Sequence, residues 1–208
     1  MSKNTDHLVN GQAGYEDSIL NDQEIEPTPE DLDTYRQNIR KLAECQDAFV
    51  FDNTNSAHAA IVMSAIFDHS QSVKVYTRGM QGKIGNRPDY YQSLEKFLKS
   101  GKQLQIILDR EDSLKENHPT SIKIILQHNE KNPSNPVHVR KSNDAFLSSI
   151  KKVSQANIAH HFSVADKQMF RLQLNSKHQA IGSFNDVKTA SVLTEIFDNH
   201  FNGLKKIL

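Results

Sequence analysis

The sequence predicts an α/β fold with a mixed, largely parallel central sheet flanked by helices. Two observations carry that expectation. Between residues 48 and 108, short apolar segments with strand character exchange regularly with helical ones, and strand–helix–strand–helix–strand order builds βαβ units. The helical segment from Ala57 to Phe67 is apolar on most sides, as a helix packed directly on a sheet must be. Length adds a bound: 208 residues suffice for one sizeable core, while a mean hydropathy of −0.62 and 37% hydrophobic residues leave part of the chain outside it.

Residues 1–27 are rich in Asn, Gln, Gly and acidic side chains, with Leu8, Val9, Ile19, Leu20 and Ile25 as apolar anchors. This composition predicts a flexible acidic tail, suited to docking on a partner protein. The ordered domain then runs over 28–208 and opens with a helix over 28–45. Thr28 caps, Pro29 suits the first helical position, and Asp31 stands where a capping-box acid belongs. Leu32, Tyr35, Ile39 and Leu42 form its apolar stripe. Cys45, the only cysteine, is expected to be a buried thiol at its end.

A strand is expected at Ala48 to Phe51, a cap at Asn53 to Ser56, then the apolar helix. Ser72 to Thr77 reads as a strand, Tyr90 to Lys99 as a helix stopped by Ser100-Gly101, and Leu104 to Leu108 as a strand. Gly79, Gly82 and Gly85 punctuate the first of these loops. Their spacing fits neither phosphate loop: Gly82-Lys83 is followed by Ile84, not Ser or Thr. A mobile surface loop is expected there. Further on, Ile122 to Gln127 closes a helix, Asn132 to Pro136 turns, and Val137 to Val139 is a short strand. Ala145 to Val153 is helical. Three strands follow, His161 to Ala165, Met169 to Leu174 and Gln179 to Phe184. The last helix starts at the cap Asp186, with Val187, Ala190, Leu193, Phe197, Phe201, Leu204 and Leu208 on one face.

Lys+Arg and Asp+Glu are 25 each, so net charge supplies no global attraction to nucleic acid. Arg140-Lys141 and Lys151-Lys152 are matched by acids elsewhere. No apolar run reaches the length of a membrane span, no leader is visible, and a cytoplasmic protein is expected. The 10 histidines include no metal-binding spacing, and adjacent His160 and His161 would point to opposite faces of a strand. Neither a metal nor a cofactor is expected.

The run His160-His161-Phe162-Ser163-Val164-Ala165-Asp166, followed later by Gly182-Ser183-Phe184-Asn185-Asp186 ahead of the last helix, resembles the C-terminal part of a phospholipase D-superfamily unit. That family carries His-x-Lys-x4-Asp on one strand and Gly-Ser-x-x-Asn, or a close variant, at the next strand's end. The order of upstream elements extends the resemblance over roughly residues 46–208. It implies His160 or His161 as the phosphorus-attacking nucleophile, with Ser183 and Asn185 on the phosphate. The motif is eroded, because the Lys position holds Phe162 or Ser163. Asp166 follows too early, and the stretch from Asp166 to Gly182 is long enough to hold an inserted hairpin, Phe170 to His178. Arg171 and Lys177 are the candidate replacement cations, Arg being suited by its planar fork.

The resemblance thus implies a catalytically silent module acting as a binding or regulatory component, of the kind found among bacterial accessory and defence systems. The alternative is a metal-independent phosphodiesterase or nuclease with an altered site. The family completes its site with two motifs and this chain has one, so a homodimer is implied.

Overall fold

The structure, a computed structural model, describes residues 26–80, 82–111, 114, 118–154, 160–174 and 179–208. The tail expected over 1–27 therefore lies almost wholly outside the described residues, as does Lys177. Helix α1 (Pro29–Glu44) starts as its sequence requires: the Thr28 hydroxyl accepts from Asp31 N, with Pro29 in the first turn. Its stripe packs on α2 (Ser56–His69), capped by Asn55, whose side chain accepts from His58 N at 2.8 Å. Helix α2 is buried on nearly every side, which matches its all-round apolarity. Cys45 is exposed at the end of α1, correcting the expected buried thiol. The apolar stripe has already turned away from solvent at Ala43 and does not reach it.

Seven strands form one sheet in the order β1-β7-β6-β5-β2-β3-β4. They are β1 (Phe51–Asn53), β2 (Ser72–Thr77), β3 (Gln103–Leu108), β4 (His138–Lys141), β5 (Phe162–Ala165), β6 (Met169–Gln173) and β7 (Ala180–Ser183). The remaining helices are α3 (Pro88–Lys99), α4 (Thr120–Lys131), α5 (Asp144–Ser154) and α6 (Val187–Phe201). The α/β class and the mixed sheet agree with the expectation. Its parallel share is smaller than expected: pairing is parallel only between β2, β3 and β4, and antiparallel from β2 through β5, β6 and β7 to β1. The cause lies in the connections. Among the described residues no helix lies between β5, β6 and β7, and links as short as theirs join antiparallel neighbours.

Two apolar clusters cover the two faces. One joins α1 to α4 with Val73, Val75, Ile106, Met169 and Phe184. The other joins α5 and α6 with Tyr76, Ile107, Phe162, Val164 and Phe170. Strand alternation distributes each strand between them. Two further boundaries differ from expectation. Pairing of β1 begins only at Phe51, leaving Phe49 and Val50 exposed. Helix α6 stops at Phe201, and Val187 at its first position is exposed. The residues after α6 turn back along β4, where Lys141 N donates to Lys205 O (2.8 Å) and Ile207 N to Val139 O (2.9 Å). This return covers an edge that would otherwise present unpaired backbone.

Candidate functional site

The site begins with one rung of the sheet. Ser163 of β5 stands directly opposite Arg171 of β6, which stands opposite Gly182 of β7. On the other side Ser163 faces Val75 of β2. Residues on one rung share a face, here the face covered by α2 and α3. One step further, Gln173 N donates to His161 O at 2.9 Å, which sets those two residues opposite each other. His161, Ser163, Arg171 and Gln173 consequently line a single cavity of about 220 Å³. It opens beyond the carboxyl end of β2, the place where open α/β sheets hold ligands.

The other walls come from loops and helices. The β2–α3 loop contributes Met80, Lys83, Ile84 and Gly85; Met63, Tyr90 and Ser121 come from α2, α3 and α4. The glycine loop, expected to be a mobile surface segment, is thus part of the site. Gly85 has a steric reason to lack a side chain: a Cβ there would lie 2.3 Å from Ser121 Oγ. The Ser121 hydroxyl is buried without a hydrogen-bond partner among the described residues.

Arg171 dominates the electrostatics. It is 5% exposed, and its Nε donates to Asn53 Oδ1 at 2.9 Å. Its Nη2 has no partner among the described residues, and Arg171 forms no ion pair with any described carboxylate. Burial lowers its pKa to about 10, while the Tyr35 and Tyr90 hydroxyls act in the opposite sense. Burial likewise pushes the Tyr90 phenol up to about 12, so it is a neutral donor at physiological pH. The cavity therefore contains a buried positive charge with hydroxyl groups around it, an arrangement that favours an anion.

His161 accepts a hydrogen bond at Nε2 from Arg78 N (3.2 Å), and its ring meets Tyr76 edge-on. That bond leaves the proton on Nδ1 and engages the lone pair that an attacking imidazole would use at Nε2. His160 does not line the cavity, and burial pulls its pKa down.

The structure brings His161 and Arg171 together and does not bring Ser183 and Asn185 to them. Ser183 pairs with Phe170, so it lies on the opposite face and nearer the other end of the sheet. Its Oγ accepts from Asn185 N at 3.3 Å in a local turn, with Asn185 exposed. Asp186 N, next in the chain, bonds Gln168 O at the β5–β6 turn. The strand beside β5 is β6 rather than β7, and its end carries Arg171 and Gln173; Met169 to Gln173 form a strand of the sheet between β5 and β7. Asp166 is structural here. Both its carboxylate oxygens accept from Gln71 N and one from Ser72 N (2.8–3.2 Å), tying the β5–β6 turn to the start of β2.

Sequence reasoning missed Asn53, Lys83, Tyr90 and Ser121. One signal was available for Arg171's setting. Met169, Arg171 and Gln173 share a parity, so a charge falls on the same face as the buried Met169. Among the described residues, no group of three or more His, Cys, Asp or Glu could hold a metal ion. None of the described helices is long and apolar enough to cross a membrane.

No protein-family model matches the chain. No curated protein matches it either. Solved structures do. TrmBL2, an archaeal chromatin protein described for a novel mode of DNA binding, shares the fold with a TM-score of 0.52 at 11% identity over 86% of this chain. This chain spans 64% of the TrmBL2 chain. Nuc, a phospholipase D family member from Salmonella typhimurium, matches with a TM-score of 0.49 at 14% identity, over 76% of this chain and 96% of its own. Polyphosphate kinase from Porphyromonas gingivalis matches with a TM-score of 0.44 at 9% identity, over 85% of this chain and 27% of its own.

Proposed function

We propose that this chain is a phospholipase D-like module that binds a phosphate-bearing ligand without cleaving it, serving as a binding or regulatory component. The observation that carries the reading is Arg171, buried without a carboxylate partner among the described residues in a cavity it shares with His161. In the family pattern the cation stands two residues after the histidine, where this chain has Ser163. Arg171 is Ser163's cross-strand partner, so a phosphate-binding cation is available one strand away from the eroded position. Guanidinium suits that task through its planar fork.

Two features favour binding over turnover. The Nε2 lone pair of His161 accepts from Arg78 N, and His161 is the sole histidine on the cavity wall among the described residues. Phosphodiester cleavage of the family type needs one imidazole to attack and a second to protonate the leaving oxygen. The alternative reading, a metal-independent phosphodiesterase, therefore requires a homodimer that joins two copies of His161. Nucleic acid is a weaker choice of ligand despite TrmBL2's DNA binding, because a net charge of zero gives the chain little general attraction to phosphate backbones.

The test pairs thermal melts in inorganic phosphate with hydrolysis of a generic phosphodiester in EDTA. Phosphate is expected to raise Tm, and no hydrolysis is expected. EDTA-resistant hydrolysis that disappears in His161→Ala would establish the alternative. A melt unchanged by phosphate would remove the reading.

A further inference from the structure

We infer that the cavity's occupant is a small amphipathic phosphate monoester, with its phosphate against Arg171 and an apolar body about one aromatic ring in size beneath the β2–α3 loop. This inference rests on the reading of Arg171 as a phosphate ligand and adds the class of molecule that carries the phosphate.

The cavity combines polar groups of the sheet, Arg171 among them, with apolar side chains of α2 and the β2–α3 loop, Met63, Met80 and Ile84. Sites of this composition bind the apolar body of a ligand by burial and fix its orientation through a few polar groups. An apolar cavity of about 150 Å³ is enough for benzene. The volume here, about 220 Å³, leaves room for a phosphate-sized head beside a ring. A polynucleotide would have to leave nearly all of itself outside.

The described loop residues suit contact with such a body. Met80 is unbranched and adapts to irregular shapes, and Gly82 adopts φ +72°, a conformation that side chains disfavour. Two further polar groups line the cavity, Lys83 of the same loop and Ser121 of α4. The buried Ser121 hydroxyl, without a partner among the described residues, is a donor that an unliganded apolar cavity would have no use for.

The experiment titrates the full chain with phenyl phosphate, inorganic phosphate, phenol and a 5′-phosphorylated oligonucleotide, by calorimetry. Phenyl phosphate is expected to bind at least about tenfold more tightly than inorganic phosphate, roughly 1.4 kcal/mol, with phenol undetectable. Arg171→Met should abolish binding of both phosphates. Ile84→Ser, on the cavity wall, should lower the ratio of phenyl phosphate to inorganic phosphate affinity. Equal affinities for phenyl phosphate and inorganic phosphate would overturn this inference and leave the phosphate reading standing. Absence of binding by either would overturn both. Phenol binding as tightly as phenyl phosphate, or the oligonucleotide binding more tightly than it, would also overturn the inference.

Discussion

Arg171 is held by the hydrogen bond from its Nε to Asn53 Oδ1, and no described carboxylate balances its charge. A buried ion that lacks a counter-ion costs several kcal/mol of effective desolvation. Arg171→Met keeps the reach of the side chain and removes the charge, so it is expected to stabilise the protein by about 1 kcal/mol or more in urea unfolding. Histidine titration gives a second prediction at this scale. His58 stacks on Tyr35 with ring centroids 4.0 Å apart, and its Nδ1 lies 3.4 Å from both Thr54 Oγ1 and Asn55 Nδ2. Burial lowers its pKa, with Asp52 and Asp31 pulling upward more weakly. In the unfolded chain this imidazole titrates near ~6.5. The folded state thus binds fewer protons in the window below that value, and stability is full above it and falls as pH drops through the folded pKa. Burial shifts His160 in the same sense. Melts should therefore show a lower Tm at pH 5 than at pH 7.5, and His58→Phe should shrink that difference. An unchanged difference would contradict the assignment to His58.

At the scale of elements, the β5–β6 hairpin determines where the site is. Asp166, at φ +50°, clips the hairpin turn to Gln71 and Ser72 across 94 and 95 residues of sequence. Asp166→Ala is expected to cost about 1 kcal/mol in urea unfolding, the net worth of such exposed hydrogen bonds, while phosphate binding persists. Loss of binding at unchanged stability would make Asp166 a site residue instead. Gly182 is constrained from two sides. A Cβ there would lie 2.7 Å from Phe170 O and 2.8 Å from the Phe51 ring. Because one of these neighbours is backbone, Gly182→Ala should destabilise by about 1–3 kcal/mol through forced displacement. In this fold Gly182 serves the close approach of β7 to β6 and β1, which explains how a Gly-Ser pair occurs away from the cavity.

Over the whole molecule, the sequence discloses local structure better than adjacency. Period, caps and stops sufficed for α2, β2, α3 and β3, because Asn55, Ser100-Gly101 and the alternation through Ser72 to Thr77 act within a few residues. The sheet order was hidden, since β5 inserts beside β2 through contacts that span about a hundred residues. Without that order, the distance between Gly182-Ser183 and the histidine motif is not visible; in the sheet β6 separates β7 from β5. The site was legible in part for the same reason. His161 and Arg171 were visible as chemistry-bearing residues near each other in the chain. Lys83, Tyr90 and Ser121 reach the cavity only when α3 and α4 pack on the sheet. The return of the last residues along β4 is also a property of the assembled sheet. Deleting residues 205–208 removes the bonds to Val139 and Lys141 and exposes the edge. The truncated chain should associate in a concentration-dependent way by light scattering.

A buried charge kept for a ligand must make the melting temperature depend on phosphate. Wild-type Tm should rise with inorganic phosphate, whereas Arg171→Met should start from a higher Tm, by about 2–4 °C for a stabilisation of about 1 kcal/mol, and show no response. A variant that melts lower than wild type, or that still responds to phosphate, would contradict a charge kept for a ligand.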